Sequence, residues 1–189
     1  MTTIEGPPLR ILTVCTHNRT RSVMMAAMLE SMLRERLGSD GVQVRSGGFG
    51  PEGLPAIHDA VEAMRRRDLD VSGHRSHQVT VDDLADADVV LTAERNHVVR
   101  VAALSPQVFG RAMTLPEFLD RAIAVERDAD DPSGWIPLLT ADRTASAYLS
   151  GATPEIVDPT GSAPRAFEAA VERLEAQCRE AARLLAAGR

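Results

Sequence analysis

The stretch Arg10-Ile11-Leu12-Thr13-Val14-Cys15-Thr16-His17-Asn18-Arg19-Thr20-Arg21-Ser22 decides how the rest of the chain is read. Residues 10–14 form a short apolar run, the pattern of a buried strand, and it stops abruptly at Cys15. From Ser22, the residues Met24, Met25, Met28, Leu29, Met32 and Leu33 recur at helical spacing until Gly38 ends the pattern. A strand therefore leads through a short loop into a helix. Such a loop can turn its backbone N–H groups toward one centre, and the helix N-terminus adds positive potential there. Arg21 supplies a planar fork that grips two phosphate oxygens. A cysteine attacks as its thiolate, which the same cradle stabilises. A helix terminus alone contributes at most about 2 kcal/mol. Arg21, the loop amides and a hydroxyl such as Ser22 must supply the remainder. The expected anion-binding set is Thr16, His17, Asn18, Arg19, Thr20, Arg21 and Ser22, with the His17 side chain rimming the mouth. Cys, five residues and Arg arise by chance about one time in five in this composition, but only about one in eighty with Ser next.

Outward from this loop, strands and helices alternate. Residues 42–46 read as a second strand, followed by a Gly- and Pro-rich loop to Pro55 and a helix over 57–67. The Arg65-Arg66-Arg67 triplet suits a solvated helix C-terminus. Residues 88–92 predict a third strand and 94–103 a helix. A fourth strand over 111–115 precedes a short helix over 117–125. A last helix runs from Ser162, as N-cap, to about 187, burying Phe167, Val171, Leu174, Cys178 and Leu185. This order predicts a single α/β domain: a four-stranded parallel sheet with helices on both faces and the phosphate loop at the first strand-helix junction. Residues 1–8 read as a flexible N-terminus and 9–189 as the domain. Residues 128–152, with Pro132, Pro137 and the only Trp and Tyr, form an extra segment outside the alternation.

Composition narrows the chemistry. The chain has 189 residues, 21 basic against 27 acidic side chains and a net charge of −6; every basic residue is Arg. Without Lys there is no Schiff-base or pyridoxal chemistry and no lysine-dependent nucleotide loop. The negative charge argues against nucleic acid or an anionic membrane as partner. Two cysteines, Cys15 and Cys178, are too few for a disulfide scaffold or a thiolate zinc site. A soluble cytoplasmic protein with reduced thiols is the expectation.

With these residues in view, the sequence resembles the low-molecular-weight protein tyrosine phosphatase family. The resemblance rests on Cys15 to Ser22, on Ser46-Gly47-Gly48 after the second strand, on the segment His74 to Thr80 with Asp83, and on Asp158-Pro159 before the last helix. It implies that Cys15 attacks phosphorus, that Arg21 binds the equatorial oxygens, and that Asp158 acts as general acid and then base. It further implies that Asn18, Ser22, Ser46 and His74 form the network holding the loop in shape, and that no metal or other cofactor takes part. Asp131-Pro132 is a rival acid. The implied substrate is a phosphorylated protein or a small phosphomonoester.

Departures from the family pattern bear on the substrate. Thr160 stands where the family has an aromatic residue after Asp-Pro, so one wall of a phosphotyrosine slot is missing. Phe49, Trp135 and Tyr148 are the aromatic candidates to rebuild a wall beside Thr160. Thr20 replaces a second loop cysteine. Arg19 stands where the related arginine phosphatases carry Thr, which counts against phosphoarginine. His58, His77 and His97 read as surface histidines. An arsenate reductase drawing on an external thiol is the competing function.

Overall fold

In the computed structural model, which describes residues 7–125 and 134–187, strand β1 (Leu9–Val14) is paired on both sides. The sheet order is β2 (Val42–Gly47), β1, β3 (Val89–Thr92), β4 (Ala112–Thr114), and all pairs are parallel. Register follows the apolar pattern, with Ile11 opposite both Val44 and Val89, and Val90 opposite Ala112. Successive strand residues face opposite sides, so a sheet covered on both faces needs continuous apolar strands. Ile11, Val89, Leu91 and Met113 enter one core with α1 (Arg21–Leu37), α2 (His58–Arg65), α5 (Leu115–Ala124) and α8 (Pro164–Ala186). Leu12, Val14, Val90 and Ala112 enter the other, with α3 (Val81–Asp86) and α4 (Arg95–Leu104).

β2 lies on one side of β1 and β3 on the other, so the strand order reverses at the C-terminal end of β1. Open α/β sheets bind ligands at that switch point, and the loop after Cys15 opens there. The four parallel strands and the two helical layers are as the sequence predicts.

Several boundaries differ. The last helix starts at Pro164 with Ala163 as N-cap, because proline suits the first helical turn. Ser162 instead donates its hydroxyl to Pro159 O at 2.7 Å. The fourth strand is three residues long, since Thr114 already caps α5 by accepting from Glu117 N. Helix α2 ends at Arg65, and the arginines after it are not a free solvated end. Arg66 and Arg67 both bind Glu168 of α8, and Arg67 also reaches Glu175 at 2.7 Å.

The extra segment supplies α6 (Trp135–Leu138) and α7 (Ala145–Ser150), and Arg143 between them reaches the backbone of β4. Arg143 donates to Ala112 O at 2.8 Å and to Phe109 O, and pairs with the buried Glu117 at 3.2 Å. Tyr148 donates to Glu117 at 3.2 Å and meets Phe109 edge to face. An exposed edge strand is a template for unwanted pairing, and this buried polar cluster blocks it. Residues 1–6 of the expected N-terminal segment and the Asp131-Pro132 pair lie outside the described residues.

Candidate active site

Cys15 is the first residue after β1 and is almost wholly buried, with Sγ 3.0 Å from Ser22 Oγ. Helix α1 begins at Arg21 without a side-chain cap and without an acidic residue in its first turn. Its orphan amides and dipole are therefore unopposed at the mouth of the loop.

The loop turns at Asn18, whose φ of +52° lies in the left-handed region. A non-glycine residue there costs about 1–3 kcal/mol unless its surroundings compensate. They do so on every side. Asn18 Nδ2 donates to Ser22 Oγ at 3.0 Å and to Ser46 Oγ at 2.9 Å. Its Oδ1 accepts from His77 N at 2.9 Å, and its backbone O accepts from His74 Nε2 at 2.7 Å. Burial lowers the His74 pKa, opposed by this hydrogen bond and aided by the nearby Arg75. The four residues that the family resemblance grouped together are thus in direct contact. Gly48 completes the support: a Cβ there would sit 2.7 Å from Asn18 N and 2.9 Å from Cys15 O, so the strand-end turn has to be glycine.

At the other end of the loop, Arg21 is only 3% exposed. Nη2 lies 2.8 Å from Asp158 Oδ2, Nη1 donates to Ile156 O at 3.2 Å, and Glu94 also accepts from Nη1. Asp158 remains 48% exposed at the side chain, and its Oδ1 accepts from Thr160 N at 3.0 Å. Thr160 Oγ1 lies 3.2 Å from Thr20 Oγ1, joining the Asp158 turn to the phosphate loop.

The cleft above Cys15 is lined by loop residues Thr16, His17, Arg19, Thr20 and Arg21, by Asp158 and Thr160 on one side, and by Pro51, Leu54 and Ile57 on the other. Arg19 is steered by its Nε bond to Pro55 O at 2.8 Å. The sequence does not single out this apolar side, because Pro51 and Leu54 sit in a loop without periodicity and Ile57 reads only as the start of a helix, where the structure makes it the N-cap of α2.

None of the three aromatic wall candidates lines this cleft. Trp135 is 2% exposed and packs edge to face on Phe118, its indole N–H reaching Val125 O. Tyr148 is held by Glu117 and Phe109 on the β4 side. Phe49 stacks on His97 at 5.9 Å, with Arg100 above its ring at 3.8 Å. Trp135 and Tyr148 turn inward because their rings are packed into the two separate hydrophobic clusters of the core.

His97 and Glu94 were not expected at the site. His97 is 1% exposed, not a surface residue. Its Nδ1 accepts the Glu94 N–H at 3.1 Å, which leaves the ring hydrogen on Nε2, 2.9 Å from Thr16 Oγ1. Burial pushes its pKa down to about 4; Glu94 works against this shift, while Arg21 and Arg100 add to it. Cys178 lies buried in α8, where burial raises its thiol pKa. Among the described residues no helix is long and apolar enough to cross a membrane.

A thiol, a guanidinium and a carboxylate converging at the switch point of a parallel α/β sheet define a cysteine-dependent phosphatase. Residues 10–136 match the family model described as low molecular weight phosphotyrosine protein phosphatase, and the chain belongs to that family. The low molecular weight protein-tyrosine-phosphatase Etp of Escherichia coli (strain K12) is 32% identical over 114 residues, 59% of this chain and 72% of that protein. The YwlE arginine phosphatase from Geobacillus stearothermophilus superposes with a TM-score of 0.69 at 28% identity, covering 93% of this chain and 92% of that one. A mutant of YwlE in which serine replaces cysteine, with the active-site serine phosphorylated, superposes with a TM-score of 0.70 at 25% identity, over 96% of this chain and 98% of that one. The family match ends before Asp158, so its position beside Arg21 is an observation of the fold alone.

Proposed function

We propose that this phosphatase hydrolyses phosphotyrosine in proteins, with Cys15 as nucleophile, Arg21 as the phosphoryl clamp and Asp158 as general acid and base. The observation that carries the reading is the meeting of Cys15, Ser22, Arg21 and Asp158 in one cleft with an apolar side. A phosphotyrosyl ring rests against Pro51, Leu54 and Ile57 while its phosphoryl group enters the loop. The Cys15 thiolate attacks phosphorus in line with the ester oxygen. As the S–P bond forms and the P–O bond breaks, protonated Asp158 gives its proton to the departing phenolate. Asp158, now a carboxylate, takes a proton from water, whose oxygen attacks phosphorus. The S–P bond breaks, phosphate leaves, and the Cys15 thiolate is restored. Charge on the transferring group is met by the loop amides, the α1 N-terminus and Arg21. Ser22 Oγ, 3.0 Å from Sγ, stabilises the thiolate both as attacker and as leaving group.

Arg19 at the rim places a cation where a phosphoarginine substrate brings its own guanidinium, which favours tyrosine over arginine. Arsenate reduction needs a second thiol; Cys178, buried in α8, is removed as an internal relay, which leaves an external thiol as the source for that competing reaction. A nucleophile that has to remain a free thiol suits a reducing compartment, so we place the reaction in the cytoplasm.

The test is a panel of phosphotyrosyl, phosphoarginyl and phosphoseryl peptides with wild type and Cys15→Ser, alongside arsenate-dependent thiol consumption. Phosphotyrosine turnover that Cys15→Ser abolishes is expected. Preference for phosphoarginine would end the tyrosine assignment, turnover surviving in Cys15→Ser would end the mechanism, and faster arsenate reduction would move the protein to the competing class.

A further inference from the structure

Arg21 has five N–H donors, and their partners divide the guanidinium into two edges. Both hydrogens of Nη1 are taken, by Glu94 Oε1 and by Ile156 O. Nη2 is held to Asp158 Oδ2 by an ion pair at 2.8 Å, without the alignment of a hydrogen bond. Among the described residues no acceptor takes Nε–H, and the Nη2 hydrogen beside it lies along the same edge of the planar group. That edge is the fork that grips two oxygens of a phosphoryl group. The guanidinium presents it only while Nη1 is held back.

Glu94 is well placed to hold it. It lies at the turn from β3 into α4 and does not line the cleft. Its backbone is fixed by three bonds: its N–H to His97 Nδ1 at 3.1 Å, and its carbonyl accepting from Thr92 Oγ1 and His97 N, each at 3.0 Å. The preceding residue, Ala93, ties this turn to both halves of the site. Its N–H reaches Val14 O, immediately before Cys15, and its carbonyl accepts from Ile156 N, two residues before Asp158, each at 2.8 Å. Through His97 the same turn also holds Thr16, the second residue of the loop. A carboxylate mounted on this turn therefore keeps a constant distance from both Cys15 and Asp158.

We infer that Glu94 is a positioning residue for the phosphatase reaction, which accepts from Arg21 Nη1 and so turns the Nε–Nη2 edge toward the phosphoryl group. The inference rests on the proposed role of Arg21. Glu94 acts through Arg21 and touches neither substrate nor Cys15. What it contributes is an acceptor at a fixed point, so a neutral acceptor of the same length can replace it. Glutamine also removes a negative charge from the neighbourhood of the incoming dianion, which works in favour of binding.

The test compares Glu94→Gln, Glu94→Ala and the isosteric Glu94→Met in two assays. One is the affinity for inorganic phosphate by calorimetry, and the other is kcat/KM for p-nitrophenyl phosphate. A misdirected catalytic group costs about 100-fold. Glu94→Ala and Glu94→Met are expected to weaken phosphate binding and kcat/KM at least tenfold, and Glu94→Gln to stay within tenfold or to bind phosphate more tightly. Glu94→Met covers the case in which the smaller residue unfolds the protein. Phosphate affinity in Glu94→Met within tenfold of wild type overturns the inference, whatever happens to Tm, because a merely structural role changes stability and not the affinity of folded molecules. A loss in Glu94→Gln as large as in Glu94→Met overturns it equally. Absence of turnover in wild type would end the functional reading, yet the phosphate affinities would still decide the role of Glu94.

Discussion

Asp158 Oδ2 lies 2.8 Å from Arg21 Nη2, so the proposed acid rests on the guanidinium proposed to grip the phosphoryl group. The Asp158 turn is tethered from behind, through the bond between Thr160 and Thr20 and through Ile156 O on Arg21. In the proposed mechanism a dianion on the Nε–Nη2 edge takes up part of the guanidinium's charge, which loosens its ion pair with Asp158 and leaves the carboxyl facing the ester oxygen. Asp158→Asn keeps the tether and removes the proton donor. We expect kcat/KM, which reports the steps up to leaving-group departure, to fall about 10²- to 10⁴-fold for alkyl phosphates, the range for a lost general acid. The loss should be smaller for p-nitrophenyl phosphate, whose leaving group needs little protonation. Equal losses on the two substrates would show that Asp158 does not protonate the leaving oxygen.

The aromatic residues of the extra segment serve stability instead. Trp135→Ala empties a site between Phe118 and Val125, and removing a buried large aromatic costs about 3–5 kcal/mol. Tyr148→Phe removes one donor to the buried Glu117, at about 1–3 kcal/mol. Chemical unfolding should register both losses, while kcat/KM for aryl phosphates, per folded molecule, stays within twofold of wild type. A tenfold drop in kcat/KM with unchanged stability would return these residues to the substrate.

What the chain reveals locally and what it conceals follow from the range of the interactions. The step from Val14 through Cys15 to Ser22 carries both a change of period and an anion-binding composition, so the phosphate loop and its strand and helix are legible. Helix α3 has a local signal as well, in Thr80 and Asp83, which cap each other's backbone at 2.9 and 3.1 Å, yet only six residues follow that start. Glu94 and His97 reach Arg21 and Thr16 across more than 70 residues, and nothing near them in sequence marks them. An exposed and a buried histidine look alike in a helix that turns one face inward. Trp135 and Tyr148 drew attention because they are unique, but a large apolar ring is more often fill for a core than a wall for a ligand.

His74 and His97 make stability depend on pH in a defined window. Both have folded pKa values below the ordinary 6.5, His97 at about 4. Above 6.5 both are neutral in the folded and unfolded chain, and their contribution is fully present. Below 6.5 the unfolded chain binds protons first, so stability falls as pH drops from 6.5 toward 4, at up to about 1.4 kcal/mol per unit for His97, with His74 adding in the same direction. Carboxylates enter only below about 4.5, so urea unfolding at pH 7 and pH 5 isolates the histidines. His97→Gln keeps a donor for Thr16 without the titration and should flatten the slope. Equal stability of wild type at the two pH values would refute this account.

The cleft has one apolar side and one polar side, and the polar side is formed by Asp158 and Thr160. A substrate ring lying on Pro51, Leu54 and Ile57 meets no ring opposite, only Asp158 and the methyl and hydroxyl of Thr160, and that hydroxyl is engaged with Thr20 at 3.2 Å. Thr160→Tyr supplies a second ring for the substrate to stack on. An aromatic pair contributes about 0.5–1.5 kcal/mol beyond its burial, which is about 2- to 12-fold in kcat/KM at 1.4 kcal/mol per tenfold. That gain should appear with aryl phosphates and not with alkyl phosphates, because an alkyl chain offers no face to stack. Leu54→Ala acts on the opposite side: Leu54 is already 37% exposed, so the truncation should cost little stability while lowering kcat/KM for aryl phosphates several-fold. Residue 160 belongs to the Asp158 turn, its N–H donating to Asp158 Oδ1, so the control is the Asp158→Asn effect measured again in Thr160→Tyr. An unchanged ratio assigns the gain to stacking, whereas equal changes for aryl and alkyl substrates would mean that residue 160 acts through Asp158 and that the ring binds elsewhere.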